Sequence, residues 1–199
     1  VPADADGKAF QPRRAKPPVE RSAALSMAGT VKDTAKTRKV AILCADGVDL
    51  AAVRAMQRAL TEAGAVWKII APRQGSLKGN GGTIAADYSF LNAASVLFDA
   101  VFVPGGDRSV EALAGEASAL LFVREAYKHC KAIAAVGAGV GLLSVAGLGD
   151  NGAPQDNGGT ATTLGADEAI AVGTDARFLR AIGRHRNWER EAAATRVPA

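Results

Sequence analysis

Four short runs of apolar residues constrain what this chain can become: KVAILCA at 39–45, AVWKIIA at 65–71, AVFV at 100–103 and AIAAV at 132–136. A strand with one face in water alternates polar with apolar residues. A run that is apolar at nearly every position reads as a strand covered on both faces, which is the condition of a parallel sheet. The segments between the runs are long enough to cross over as helices. LAAVRAMQRALTEAG follows Asp49, which can cap it, and ends at Gly64. In ALLFVREAYKHC, Leu120, Val123, Tyr127 and Cys130 recur at helical spacing, and Asp107 or Ser109 can cap a shorter helix before it. Strands alternating with helices in this way predict parallel strands joined by right-handed crossovers.

The remaining segments fill in around that rhythm. Residues 72–95 are rich in turn formers and predict a small hairpin near Thr83 and Ile84, with GNGG at 79–82 as its turn. Residues 147–159 read as a loop, TATTLGADEAIAVG (160–173) as one or two short strands, and TDARFLRAIGRHRNWERE (174–191) as a terminal helix with Phe178, Leu179 and Ile182 inward. Residues 1–37 contain Pro, Lys and Arg with few large apolar side chains, and cannot by themselves repay the entropy of ordering. The division expected is a linker or extended arm at 1–37 and one domain at 38–199. A chain opening on such a linker is expected to be part of something longer. The architecture expected for 38–199 is α/β and flavodoxin-like, an open parallel sheet with helices on both faces.

Charge and composition narrow the partners. Of the net charge of +4, three units sit in residues 1–37, leaving the folded part close to neutral. A nucleic-acid binder is expected to carry a basic stripe on its folded face, and no such partner is expected here. The longest uncharged stretch, AIAAVGAGVGLLSVAGLG (132–149), contains five glycines in a strand–turn–helix pattern, so it reads as a buried crossover and not as a membrane span. The two cysteines, Cys44 and Cys130, read as buried reduced thiols, with a bridge between them left open. A cytoplasmic location is expected.

In an open parallel sheet, chemistry gathers beyond the carboxyl ends of the strands. Three turns stand there: ADGVD after the first run, PGGD after the third and VGAGVG after the fourth. The last has the form of a strand-to-helix elbow that lifts a nucleophile clear of the backbone, yet Gly137 and Ala138 carry nothing reactive. As a dinucleotide fingerprint the same turn is out of register. Gly137 and Gly139 match, the third glycine would fall at Leu142 while Gly141 is one position early, and the acidic partner would lie near Asp156. His129 and His185 have no ligand spacing and read as helix-end or surface residues, and no metal is expected. Asp46, Asp49 and Asp107 read first as caps and turn formers. Tyr88, Tyr127, Trp67 and Trp188 read as core or interface residues.

KVAILCADGVD, LFDAVFVPGG and AAVGAGVGLL, in that order and spacing, resemble the class I glutamine amidotransferase-like superfamily, in the branch of intracellular cysteine peptidases and deglycase-like proteins. There the elbow reads approximately A-A-I-C-H-G, the third-strand turn reads P-G-G, and a glutamate after the first strand supports the cysteine. On that pattern Gly137 stands at the cysteine position, Ala138 at the histidine and Gly47 at or near the glutamate, while Pro104, Gly105 and Gly106 are kept. The resemblance therefore implies vestigial positions and no hydrolytic activity. A small-molecule hydrolase using another nucleophile is the enzyme alternative.

A narrower resemblance covers nearly the whole chain. RKVAILCADGVD, SVLFDAVFVPGG, FVREAYKHCKAIAAVG and HRNWERE are similar to the C-terminal domain of large-subunit haem catalases, and the stretch before Arg38, including ALSM, resembles the linker to the catalase core. It implies a non-catalytic accessory domain that contributes to stability, assembly or channel access. The parent it implies is a homotetrameric oxidoreductase that disproportionates hydrogen peroxide under oxidative stress. The partners implied are the catalase core and sister subunits. Haem belongs to the core, whose tyrosine ligand, distal histidine and asparagine these residues lack, so no cofactor is expected in this chain. A different alternative is a chaperone-like module that holds unfolded client proteins on an apolar face left bare without the core.

Overall fold

The computed structural model describes Ser22, Ala24, Leu25 and residues 33–148, 170–172 and 176–190. Contacts divide the chain into two units, Val1–Val31 and Lys32–Ala199. In the first, the Leu25 amide donates to the Ser22 carbonyl at 3.3 Å. In the second, β1 (Lys39–Leu43) leads to α1 (Leu50–Glu62) and β2 (Val66–Ala71), then to a hairpin of β3 (Gly75–Gly79) and β4 (Gly82–Ala86) and a two-residue strand β5 (Tyr88–Ser89). After these come β6 (Ala100–Val103), α2 (Asp107–Ala114), α3 (Ala117–Lys128), β7 (Ala132–Ala135), α4 (Gly139–Val145), β8 (Ile170–Val172) and α5 (Ala176–Gly183).

Six strands pair in parallel in the order β5-β2-β1-β6-β7-β8. Setting aside the two-residue edge strand, the order along the chain is 2-1-3-4-5, the flavodoxin-like winding. The apolar runs behave as double-sided strands. Val40, Ile42, Cys44, Ala100, Phe102, Ala132 and Ala134 face α1 and α5, whereas Ala41, Leu43, Ala45, Val101, Val103, Ile133 and Ala135 face α2, α3 and α4. The helix α1 buries one stripe, Leu50, Val53, Met56 and Leu60. Its cap is the expected one: Asp49 Oδ1 accepts from the amides of Ala51 at 2.9 Å and Ala52 at 3.3 Å. Gly64, at φ +71°, turns the chain out of the helix. The hairpin also forms as read, with Gly79 paired to Gly82 across Asn80–Gly81.

Other local readings are corrected. Neither Asp107 nor Ser109 caps α2, whose N-cap is Gly106 with no side-chain hydrogen bond. Ser109 is buried, and its hydroxyl accepts from the Ala45 amide at 2.9 Å, at the end of β1. The inward stripe of α3 is Ala119, Phe122, Val123, Ala126 and Tyr127, with Leu120 half-buried and Cys130 beyond the helix at φ +55°. The terminal helix stops at Gly183, where an added Cβ would stand 3.1 Å from the backbone of Asp33 and Thr34. His185 then takes φ +67°, and a separate 3-10 turn forms at Trp188–Arg190. All but the first two residues of the expected loop at 147–159, and the strand residues before Ile170, lie outside the described residues. Within those residues, no helix is long and apolar enough to cross a membrane.

The amino edge of the sheet is held by ionic contacts that no local pattern announces. Asp99, just before β6, lies 3.8 Å from Arg38, 3.4 Å from His185 Nε2 and 3.9 Å from Arg186, and its Oδ2 accepts from the Lys39 amide at 2.9 Å. Asn187 donates its amide to the Cys130 carbonyl at 2.8 Å, and Arg190 Nη1 donates to the Lys131 carbonyl at 2.7 Å. Lys131 itself is 2 % exposed, with Nζ donating to the Ser95 carbonyl at 2.5 Å. Burial, and next the Arg186 charge, lowers its pKa to about 8. The unfolded chain keeps that proton up to the ordinary lysine value, so the folded state gains stability as pH rises from about 8 to 10.5. Chemical denaturation across that window should show a rise of about 3 kcal/mol in the parent chain relative to Lys131→Met, whose volume is similar but which has no proton to lose. Equal slopes in the two proteins would show that the amine is not penalised by the fold.

Candidate functional site

The carboxyl edge of the sheet changes winding direction between β1 and β6, the place where open α/β sheets bind ligands. The turns after β1, β6 and β7 meet there, and they meet through backbone. The Asp49 amide donates to the Gly105 carbonyl at 2.9 Å. A Cβ on Gly106, at φ +111°, would overlap the Gly47 carbonyl oxygen and lie 2.9 Å from the Asp49 nitrogen. On its other side Gly105 faces the β7 turn, its Cβ position 3.8 Å from Gly137 Cα. The dipeptide Gly105–Gly106 thus stands between Gly47 and Gly137 and touches both. All three sequence-singled positions, Gly47, Gly137 and Ala138, are brought to this edge.

Each has little to offer chemically. Gly137, exposed at φ +53°, is the turn residue between β7 and α4, and Ala138 is the N-cap of α4. Gly47 is at φ +92°, and a Cβ there would stand 2.6 Å from Arg108 Cβ, so a side chain at 47 meets the start of α2. Gly139 is pressed onto the end of β6, its Cβ position 2.5 Å from the Val103 carbonyl oxygen. The strand–turn–helix form of an elbow is present, held by glycines that let backbones approach.

An open cleft of about 600 Å³ lies beside the β1 and β6 turns, lined by residues that include Asp46, Asp49, Lys78, Asp107 and Arg108. Two of its acids serve the fold. Asp49 caps α1, while Asp46 accepts from the Lys78 amide at 2.7 Å and pairs with Arg73 at 2.9 Å, which fixes the β3–β4 hairpin over the turn. The Lys78 hydrogen bond first, and then Arg73, draws the Asp46 carboxyl below its ordinary value. The hairpin closes further through the Gly47 amide, which donates to the Lys78 carbonyl at 2.6 Å. Sequence reading missed this clasp, because its partners lie about thirty residues apart with no shared periodicity.

The other residues weighed from sequence are elsewhere. Cys44, the residue after β1, is fully buried, and desolvation pushes its thiol far above the ordinary range, the opposite of what a nucleophile needs. Cys130 is at the amino edge, and no disulfide joins it to Cys44. His129 is the exposed C-cap of α3, 3.4 Å from Glu125, whereas His185, half-buried just past the end of α5, is drawn into the Asp99 cluster. Burial, then the Arg186 and Arg38 charges, lowers the His185 pKa. Tyr127 is core, with the Arg190 guanidinium 4.5 Å over its ring, while Tyr88 and Trp188 are exposed.

Among the described residues no group of three or more His, Cys, Asp or Glu could hold a metal ion. Haem iron takes an axial His, Cys, Met or Tyr in a pocket that admits the macrocycle. Met56 and Cys44 are sealed in the core, Tyr127 is covered by Arg190, and His185 is against Asp99. The cleft at the carboxyl edge is lined by none of these donor types. None of these four donors fits a haem site.

Comparison with known proteins agrees with this geometry. The fold is that of the DJ-1/ThiJ/PfpI proteins: oxidized Toxoplasma gondii DJ-1 superposes with a TM-score of 0.61 at 17 % identity, covering 80 % of this chain and 95 % of that one. A ThiJ/PfpI family protein from Pseudomonas syringae gives 0.60 at 17 %, covering 88 % and 80 %. Residues 36–192 match the family model of the C-terminal domain found in long catalases, and the chain belongs to that family. Catalase HPII of Mycobacterium avium is 40 % identical over 185 residues, 89 % of this chain and 26 % of that protein. Catalase HPII of Pseudomonas aeruginosa is 36 % identical over 189 residues, 94 % of this chain and 25 % of that protein. The chain thus spans about a quarter of the length of these relatives.

Substitutions at the edge should separate contact from vacancy. Gly106→Ala and Gly139→Ala place a methyl against backbone and should each cost at least about 3 kcal/mol in urea unfolding. Gly137→Ala, with only ordinary contact at 3.8 Å from Gly105 Cα but a positive φ, should cost only about 1 kcal/mol. Gly141→Ala, with no atom within 4 Å of the added Cβ, should stabilise by up to about 1 kcal/mol. Similar costs at all four positions would contradict the backbone contacts described.

Proposed function

We propose that this domain is a non-catalytic accessory unit of a long catalase, acting on the stability, assembly or channel access of a haem-bearing core and its sister subunits. The observation that carries the reading is the joint state of three positions. Gly47, Gly137 and Ala138 converge on one sheet edge, none bears a reactive group, and the turns that hold them are packed backbone to backbone through Gly105–Gly106. The vestigial elbow is a scaffold turn. Further support comes from the buried, protonated Cys44 thiol and from the relatives, whose name is that of the peroxide-disproportionating enzyme and whose length is about four times the matched part. Haem, peroxide chemistry and the homotetramer belong in this reading to the core, in a cytoplasmic protein.

The test grafts this chain onto Mycobacterium avium catalase HPII in place of its matching quarter, against the same protein truncated at that point. The graft should recover oligomer size by light scattering and melt several degrees above the truncation. The isolated chain should acquire no Soret band on haem titration and should leave the rate of peroxide loss at the buffer level. Identical melting and oligomer size of graft and truncation, or peroxide turnover by the isolated chain, would overturn the reading.

A further inference from the structure

The tip of the β3–β4 hairpin is Asn80–Gly81, followed by a second glycine, and Asn80 lines the open cleft beside the β1 and β6 turns. Both tip residues are exposed, and Gly81, at φ +82°, has no atom within 4 Å of the place a Cβ would take. The Asn80 carboxamide and the Gly81 amide take part in no hydrogen bond among the described residues. The other two described asparagines are held. Asn92 Oδ1 accepts from the Ser89 amide at 2.9 Å, and the amide that follows it, Ala93, donates to the Ser89 carbonyl at 3.1 Å. Asn187 Nδ2 donates to the Cys130 carbonyl at 3.4 Å, and Trp188 follows it.

A free carboxamide beside a free, uncrowded amide suits an intramolecular reaction. The Gly81 nitrogen, having lost its proton to hydroxide, attacks Asn80 Cγ. An N–Cγ bond forms, the Cγ–Nδ2 bond breaks, and the leaving nitrogen takes a proton from water and departs as ammonia. The product is a five-membered succinimide, whose closure a side chain on the following residue would crowd and glycine does not. Water from the cleft then opens the ring. Opening at Cγ restores the ordinary main chain with an aspartate, whereas opening at the main-chain carbonyl leaves the chain running through Cβ and Cγ as isoaspartate. One water enters, one ammonia leaves, and nothing is oxidised or reduced. Asn80 is anchored only on its amino side, where its amide donates to the Val48 carbonyl at 3.2 Å and Gly79 is pressed against Leu50. Ring closure turns bonds on the other side, where Gly81 stands in open space.

We infer that Asn80–Gly81 is a site of spontaneous modification, passing through a succinimide to isoaspartate, and that the product loosens the hairpin from the β1 turn. A two-residue turn fixes the register of the strands it joins, here Gly79 opposite Gly82 and Leu77 opposite Ile84. Isoaspartate adds a methylene to the main chain inside that turn, so the pairing next to it is lost. The same strand carries the clasp over the sheet edge: the Lys78 carbonyl accepts from the Gly47 amide at 2.6 Å, and the Lys78 amide donates to Asp46 Oδ1 at 2.7 Å. A change at the tip is thereby one residue from the groups that hold the hairpin down.

Ageing the full chain at mildly alkaline pH tests this, with peptide mapping that separates Asn80 from Asn151 and Asn157, the other asparagines followed by glycine. The Asn80 peptide should gain the mass of an amide turned carboxylate, at a rate that rises with hydroxide, while the circular dichroism of the chain stays native. Electron-transfer fragmentation should find isoaspartate in excess over aspartate. Peptides carrying Asn92 and Asn187 should stay unchanged, and Asn80→Gln, whose ring would need six members, should lose the gain. In the aged chain the amides of Gly47 and Lys78 should exchange with deuterium at least about tenfold faster by NMR. Asn80→Asp, which adds the charge without the methylene, should stay within about twofold of the unaged parent. A gain confined to chain unfolded in urea, or aspartate without isoaspartate, would overturn the site. Isoaspartate with unchanged exchange at Gly47 and Lys78 would overturn the loosening.

Discussion

No side chain can stand at position 106. The carbonyl of Gly47 and the backbone of Val48 and Asp49 occupy the space a Cβ would need, and that approach joins the turns after β1 and β6, the two strands at the centre of the sheet. From that contact the rest of the edge follows. Asp49 is free to cap α1 because its amide is taken by Gly105, the hairpin settles over the turn through Asp46 and Gly47, and Gly139 can sit on the carbonyl of Val103. In an active site of this geometry the same edge would have to leave room for a nucleophile and its acid. Here close packing of main chain occupies that space.

Much of this was legible because it is local. An apolar run such as VAIL can be satisfied only between two layers of helices, and Val40 and Ile42 do face one layer while Ala41 and Leu43 face the other. Asp49 before LAAV, Gly64 after the helix, and GNGG between short strands each specify a backbone conformation within a few residues. What stayed hidden depends on residues distant in sequence. Arg38, Asp99, Lys131 and His185 form one amino-edge cluster only because β1, β6 and β7 begin side by side there. Ser109 looked like a cap because serine before a helical pattern usually is one, yet its hydroxyl serves β1 from across the sheet edge. The convergence of Gly47 with Gly137 was legible only through a family pattern, since glycines advertise no partner.

The two edges of the sheet have different roles. At the carboxyl edge, glycine turns pack backbone to backbone, and Asp46 and Asp49 are committed to the hairpin and to α1. At the amino edge, charged groups tie the entering chain, β6, β7 and the segment after α5 into one unit, and a buried lysine shapes the turn that carries exposed valine and leucine.

The central claim is that the turns of the carboxyl edge pack backbone to backbone and that the Cys44 thiol beside them is sealed in the core. Iodoacetamide labelling of the native chain, with peptide mass spectrometry resolving Cys44 from Cys130, measures this directly. The account predicts that Cys44 reacts only at the rate of global unfolding, accelerating in step with denaturant-induced loss of structure. Stoichiometric modification of Cys44 within minutes under native conditions, with the fold intact, would contradict it.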